Sequence, residues 1–479
     1  MIVVKSGVVV GIEGFLVDVE VDVRPGLPGF EIVGLPSKTV RESRERVRSA
    51  LRNSGFKFPA QKVIVNLAPA HFPKDGALFD LPIALGILAH QGILPRSVFQ
   101  DSLYAGELSL SGQLKRVNGV LSLSNLASSY GYQFILPQAN AAETTLMQGE
   151  NYLLASSLGN LLDLLKGNIA PRPHETEKLI PTDTAHRVAV KGQAQAKRAL
   201  EIAAHGGHHI MLLGPPGVGK TLLATSAINL LSPPSHGELL VINQIHEAAG
   251  LQSTDTSPLT KRPFRAPHHS ISQAALVGSK RGRPGEITLA HGGVLLLDEF
   301  PEFNQGALQG LREPLDNKKV RIARVDHTLT YPADFWLIAT ANPCPCGHLG
   351  SSTRVCDCNA RDIARYRRKL RGPLLDRFEM FTYLSTLSEQ ELRTKAIPWP
   401  PTRRAKGHGA KNSVPRISTE ALDFLHHAQE TLELSVRGFE NTRHVATSIA
   451  SLDGASNVSS THMAEALQYR LESFHHLFT

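Results

Sequence analysis

Gly214-Pro215-Pro216-Gly217-Val218-Gly219-Lys220-Thr221 is the stretch whose reading decides the fold. The apolar run His209-Ile210-Met211-Leu212-Leu213 leads into it, and a helical pattern from Leu222 to Leu231 leaves it. Strand, glycine-rich loop and helix in that order make the spacing G-x-x-x-x-G-K-[ST] a phosphate cradle. The glycines let backbone N–H groups converge on phosphate oxygens, and the helix N-terminus adds partial positive charge. Lys220 is then placed to reach the β- and γ-phosphates, and Thr221 to ligate Mg²⁺. The stretch predicts binding of a nucleoside triphosphate with Mg²⁺.

Downstream, Val294-Leu295-Leu296-Leu297-Asp298-Glu299 reads as a buried strand ending in two carboxylates. Asp298 suits Mg²⁺, and Glu299 suits orienting and polarising an attacking water. A further strand, Trp336 to Ala339, leads to Thr340-Ala341-Asn342, and Asn342 is the candidate γ-phosphate sensor.

With 479 residues, two or three domains are expected, and 51 Lys+Arg against 43 Asp+Glu leave a formal charge of +8 that favours a polyanionic partner. No apolar run approaches the ~18 residues of a membrane span. Met1-Ile2-Val3-Val4-Lys5 lacks the pattern of a signal peptide, so the cytoplasm is the expected compartment. All four cysteines lie between Cys344 and Cys358, which suits a local metal clip better than a disulfide framework. Cys344-Pro345-Cys346 and Cys356-Asp357-Cys358 supply four thiolates, enough for a closed structural Zn²⁺ site, with free reduced thiols as the alternative.

Residues 1–166 read as an α+β domain. Strands fill the first 34 residues or so, with Leu16 to Val23 alternating; Ser37 caps a helix to about Asn53, and Val63 to Leu67, Leu81 to Ala89 and Phe134 to Pro137 add strand, helix and strand. Residues 167–184, with Pro171, Pro173 and Pro181, form a linker. The ATPase core spans 185–395 and opens on an expected helix from Val188 to Ala204. Residues 396–479 hold a basic, proline-rich tether and then helices near Ala421–Leu432, Arg443–Leu452 and Thr461–Leu471.

Two stretches inside the core are basic. From Lys261 to Glu286 six Lys/Arg face one acid, and Lys280, Arg281 and Arg283 lie in a loop. Lys318, Lys319, Arg321 and Arg324 alternate with apolar residues before Thr328-Leu329-Thr330-Tyr331, the pattern of a β-hairpin. Such cations would grip phosphates without reading bases. A third basic stretch, Arg361 to Arg371, is helical.

Resemblances extend these readings. Pro73-Lys74-Asp75-Gly76-Ala77-Leu78-Phe79-Asp80 and Gly106 to Gly112 resemble the proteolytic domain of Lon-type proteases, a ribosomal S5 domain 2-like fold. That family's serine nucleophile and activating lysine would fall at positions 78 and 121, where this chain has Leu78 and Leu121, so the resemblance implies the fold without the activity. The P-loop, the Asp-Glu strand and the Asn-ended strand together resemble the AAA+ ATPases. More narrowly, Pro263-Phe264-Arg265-Ala266-Pro267-His268-His269-Ser270, Asn342-Pro343-Cys344-Pro345-Cys346-Gly347 and Gly372-Pro373-Leu374-Leu375-Asp376-Arg377-Phe378 are similar to the magnesium-chelatase-like family of YifB and ComM proteins.

That resemblance implies a P-loop AAA+ core with a C-terminal α-helical lid, assembled as a homo-hexameric ring. It implies an arginine finger at Arg377 crossing to the neighbour's γ-phosphate, with Arg371 the alternative and an internal salt bridge to Asp376 the plain one. It places a sensor arginine at Arg437, with Arg443 the runner-up, on the γ-phosphate of its own subunit. Its ComM members drive branch migration of DNA in natural transformation, so the expected function is ATP-driven translocation on single- and double-stranded DNA without sequence preference, recombination proteins being possible partners and membranes not. A protein-remodelling ATPase and a chelatase-type metal-insertion subunit are the alternatives.

Overall fold

Alternation along Glu13–Arg24 buries Val17, Val19, Val21 and Val23 and leaves the residues between them half-buried on the opposite face of the sheet. The computed structural model describes residues 1–70, 73–147, 149, 151–170, 188–251, 258–279, 282–323, 328–349, 354–370, 373–393, 397–399 and 415–470. They cluster into two units, Met1–Ile180 with His236–Thr260, and Pro181–Ser235 with Lys261–Thr479.

In the first unit, Glu13–Arg24 pairs antiparallel with Ile2–Val10 and with Lys62–Ala68, and Lys62–Ala68 pairs parallel with Gly29–Val33. Helix Lys38–Asn53 starts where the Ser37 hydroxyl accepts the Val40 N–H at 3.3 Å, and it buries Val40, Val47 and Leu51. Helix Asp80–His90 is apolar all round and buried. A second, parallel sheet orders Ser102–Tyr104, Gln133–Pro137 and Tyr152–Ala155. Leu78 and Leu121 are core residues, 7% and 0% exposed.

Residues 236–260 sit inside the expected ATPase core by sequence, yet helix His236–Ala249 joins the first unit, where Leu239 and Leu240 enter its core. An amphipathic helix records that one face will be buried, not which core will bury it.

The second unit holds a five-stranded parallel sheet in the order Phe264–Arg265, Val294–Leu297, Trp336–Ala341, Ile210–Leu213 and Met380–Tyr383. Its three middle strands are buried on both faces, which is why they read as apolar runs rather than alternations. Leu213 pairs with Ala341, and Leu297 with Ala339, so the loop after Leu213, the pair after Leu297 and Asn342 leave one edge of the sheet. That edge is where ligands meet parallel sheets.

Three elements depart from expectation. Val188–Val190 is a strand paired with Ile397–Trp399, and the helix starts only at Ala194, after a left-handed Gln193; β-branched Val188 and Val190 favour the strand. The helix after the P-loop is α-helical over Lys220–Ser226 and narrows to a 3₁₀ turn over Ala227–Leu230. The last helices span Thr419–Thr431, Val436–Leu452 and Ser460–Gln468, so Arg437 and Arg443 share one helix, capped by Ser435. Helix Val436–Leu452 packs on Ser460–Gln468 and on Ala194–Gly206. Among the described residues, no helix is long and apolar enough to cross a membrane. Lys280, Arg281, Arg324 and Arg371, most of the linker and residues 401–414 of the tether lie outside the described residues.

Candidate active site

The P-loop leaves the buried end of Ile210–Leu213, and Gly219 adopts φ +94°, a left-handed conformation with open space where a Cβ would stand. That turn starts helix Lys220–Ser226 and exposes the loop's amides. Lys220 is 8% exposed, and its Nζ donates to Gly214 O at 2.7 Å, Pro215 O at 2.8 Å and Asn342 Oδ1 at 2.9 Å. All three ammonium donors are used, and one of them reaches the expected sensor residue. Burial brings the Lys220 ammonium down to about 8, while the negative charges of Asp298 and Glu299 pull it back up.

Asp298 meets Thr221: the hydroxyl donates to Oδ1 and Oδ2 at 3.2 and 3.1 Å. A hydroxyl and a carboxylate side by side form the hard-oxygen donor set that Mg²⁺ takes beside a phosphate, so Thr221 and Asp298 fit the ion and would hold it. When bound, the ion would neutralise charge on the phosphates.

Thr340 bridges the two acids. Its hydroxyl donates to Asp298 Oδ1 at 2.5 Å and accepts the Glu299 N–H at 3.0 Å. A lone hydroxyl in the apolar strand Trp336–Ala341 was the available signal for this role. Glu299 has φ +56°, a strained left-handed backbone for a residue with a side chain. Its carboxylate projects outward and meets His269 Nδ1 at 3.5 Å. The His269 and His268 rings lie 4.0 Å apart between centroids, tilted by 35°, while Arg265, earlier in the same motif, is held bidentate by Glu286 at 2.6 and 2.7 Å. Through His269 the motif thus reaches Glu299, and through Arg265 it reaches Glu286.

The cysteines gather beside the same loop. Cys344, Cys346 and Cys356 sulfurs lie 3.4, 3.5 and 3.7 Å apart, and all four fall within 4.8 Å of one another. Tetrahedral Zn²⁺ with bonds of about 2.3 Å requires sulfurs about 3.8 Å apart, which the cluster fits. Gly347, on this loop, sits so close to the P-loop that an added Cβ would stand 2.6 Å from Pro216 Cδ. Tyr366, buried on helix Ala360–Lys369, is hydrogen-bonded to the Asn342 backbone, and burial pushes its phenol well above the usual range.

Arg377 and Arg437 converge elsewhere. Arg377 Nε donates to Asp316 Oδ1 at 3.0 Å, its Nη2 to Oδ2, and its Nη1 to Pro373 O at 2.6 Å. Arg437 Nη2 reaches the same Asp316 Oδ1 at 3.5 Å. Arg377 is salt-bridged, but to Asp316 rather than to Asp376. The Arg377 hydrogen bond holds the Asp316 carboxyl below the usual carboxylate range. Sequence reading missed Asp316, and it quoted Thr340 and His269 within motifs without giving either a role.

The hairpin forms as expected, Lys319–Ala323 against Thr328–Pro332. Lys318, Lys319 and Arg321 are exposed on it, Lys318 paired with Asp334 at 3.0 Å and Arg321 with Glu313 at 3.6 Å. Tyr331 donates its hydroxyl to Gly282 O at 2.6 Å, joining the hairpin to the loop that carries Arg283.

Three family models match the chain. The one described as magnesium chelatase, subunit ChlI, covers residues 187–392; subunit ChlI of Mg-chelatase covers 19–140; and the ChlI C-terminal model covers 353–470. The uncharacterized protein YifB of Salmonella typhimurium is 38% identical over 496 residues, 98% of this chain and 96% of its own length. Competence protein ComM of Haemophilus influenzae is 38% identical over 503 residues, covering 98% and 97%. Magnesium-chelatase subunit ChlI of Nephroselmis olivacea is 24% identical over 318 residues, covering 57% of this chain and 83% of its own.

Phosphates favour the charged form of Lys220. Above pH 8, where the triphosphate is fully ionised, calorimetry should therefore show ATP affinity falling by up to about tenfold per pH unit. Lys220→Met should bind weakly and without that slope. A flat profile in the unsubstituted protein would place Lys220 away from the phosphates.

Proposed function

The chain belongs to the magnesium-chelatase-like family of YifB and ComM proteins, whose ChlI-type core is an AAA+ ATPase, and on that premise we propose that it is a ring-forming motor coupling ATP hydrolysis to movement along DNA. The observation that carries the DNA reading is the outer face of the hairpin, where Lys319 and Arg321 are exposed with Lys318 at the root, while buried Tyr331 on the inner face bonds Gly282 and attaches the loop that carries Arg283. Such a surface, aromatic-poor and cationic, suits backbone phosphates without sequence preference. In a hexamer these elements would surround one channel, with single- or double-stranded DNA passing through it. The competence name of the Haemophilus relative supports branch migration during natural transformation, with recombination proteins as possible partners.

Hydrolysis follows from the site. Lys220 and the P-loop amides hold the phosphates, Thr221 and Asp298 hold Mg²⁺, and Glu299 orients the attacking water. Asn342 reports on the γ-phosphate through the oxygen it shares with Lys220. Arg377, delivered from a neighbouring subunit, would stabilise transition-state charge, an effect of ~10³-fold or more. The four cysteines hold Zn²⁺ as a structural clip beside the P-loop. The first unit is a Lon-like platform without peptidase chemistry, since Leu78 and Leu121 are packed into its core. Residues 415–470 act as the helical lid.

ATPase rates with and without single-stranded, duplex and branched DNA test the motor reading, and DNA should stimulate. Replacing Lys318, Lys319, Arg321 and Arg283 by Gln should weaken DNA binding and reduce its salt dependence by about one unit of slope for each phosphate no longer neutralised. Stimulation by unfolded polypeptide and not by DNA would favour protein remodelling instead. For the clip, metal analysis of protein purified without metal affinity should find about one zinc per chain. A folded, active, zinc-free protein would leave the cysteines as free thiols.

A further inference from the structure

Three remote segments meet at the Asp316 carboxylate. Asp316 closes the short helix Arg312–Asn317; Arg377 follows the Cys-rich module; and Arg437 opens helix Val436–Leu452. The two arginines are 61 and 121 residues away in sequence, yet both donate to Asp316 Oδ1. Arg377 is held on two sides, by both Asp316 oxygens and by Pro373 O. A guanidinium in that fork is oriented, but its best donors are already engaged.

The same carboxylate lies at the root of the basic hairpin. Lys318 takes a left-handed turn at φ +55°, and its N–H donates to Pro314 O at 2.8 Å. Its carbonyl accepts the Ala333 N–H at 2.8 Å, and its ammonium pairs with Asp334 at 3.0 Å. Both strands of the hairpin are therefore pinned to the helix end that carries Asp316. A displacement of the hairpin displaces Asp316 against arginines that are anchored on other segments.

We propose that Asp316 is a positioning residue that holds Arg377 and Arg437 as a pair in the unengaged subunit and, when a subunit boundary closes, yields Arg377 to the neighbour's γ-phosphate and Arg437 to that of its own subunit, with the hairpin controlling the exchange. This rests on the motor reading above, in which these arginines serve phosphate. A carboxylate and a phosphate compete for the same planar donors, so the pair is kept ordered and idle until the stronger acceptor arrives. Nucleic acid drawn against the hairpin shifts Asp316 and weakens its hold. Hydrolysis is thereby tied to an occupied channel.

Asp316→Asn in the full chain keeps shape and removes charge. Because the carboxylate is partly exposed, the DNA-free ATPase rate should rise about two- to fivefold. Half-maximal activity should need less protein, and the ratio of DNA-stimulated to DNA-free rate should shrink by the same factor. ATP affinity should stay unchanged, separating kcat from KM. Asp316→Glu, with charge restored, should keep the DNA-free rate low. A DNA-free rate that falls or stays level in Asp316→Asn, with ATP affinity intact, would overturn the proposal and leave Asp316 a scaffold for the arginines. So would equal activation by Asp316→Glu. Should Asp316→Asn unfold, as read by its melting temperature, an Asp316→Glu protein with wild-type rates supports the hold and one with a raised DNA-free rate overturns it. If DNA fails to stimulate the unsubstituted protein, the motor reading fails, while the DNA-free rates still decide the role of Asp316.

Discussion

An ammonium can be buried only where oxygens replace its water, and Lys220 finds three: two carbonyls of its own loop and the Asn342 side chain. That requirement ties the loop after one strand to the residue ending the next. It explains why Ile210–Leu213 and Trp336–Ala341 must be parallel neighbours in this register, with Leu213 opposite Ala341. The Cys-rich module begins two residues after Asn342 and packs Gly347 on Pro216, so it braces the loop from the other side. Tyr366 adds a third support on the Asn342 backbone. The P-loop, Asn342 and the Cys-rich module form one piece.

The carboxylates are built more loosely. Asp298 is fixed by Thr221 and Thr340, whereas Glu299 is anchored through its backbone N–H and its carboxylate projects outward, with the His269 ring 3.5 Å away. This division suits the proposed chemistry, in which Asp298 would hold the metal and stay put while Glu299 would adjust to the attacking water. Arg377 and Arg437 are gathered at Asp316, consistent with a site whose parts come together only when subunits meet.

Residues whose place in the fold depends on local spacing were legible in the sequence. The P-loop, the Asp298-Glu299 strand end, Asn342 and the two C-x-C pairs are short patterns, each carried by one turn or strand end. The hairpin was equally legible, because its alternation is local. Partners distant in sequence were not. Nothing near Asp316 announces that Arg377 and Arg437 will converge on it, and nothing in the helix His236–Ala249 says that Leu239 and Leu240 fill the core of another unit. Val188 to Val190 misled for a related reason: three residues are too few to show a period, and their strand partner lies near residue 398.

The central claim is that the site is completed across a subunit boundary. Mixing Lys220→Ala and Arg377→Ala chains, each inactive alone, tests it most directly. Random assembly of equal amounts should pair an intact P-loop with an intact Arg377 at about a quarter of the boundaries, so turnover should return toward about a quarter of the unsubstituted rate. A mixture as inactive as its parts, or an Arg377→Ala chain that is fully active alone, would contradict the account.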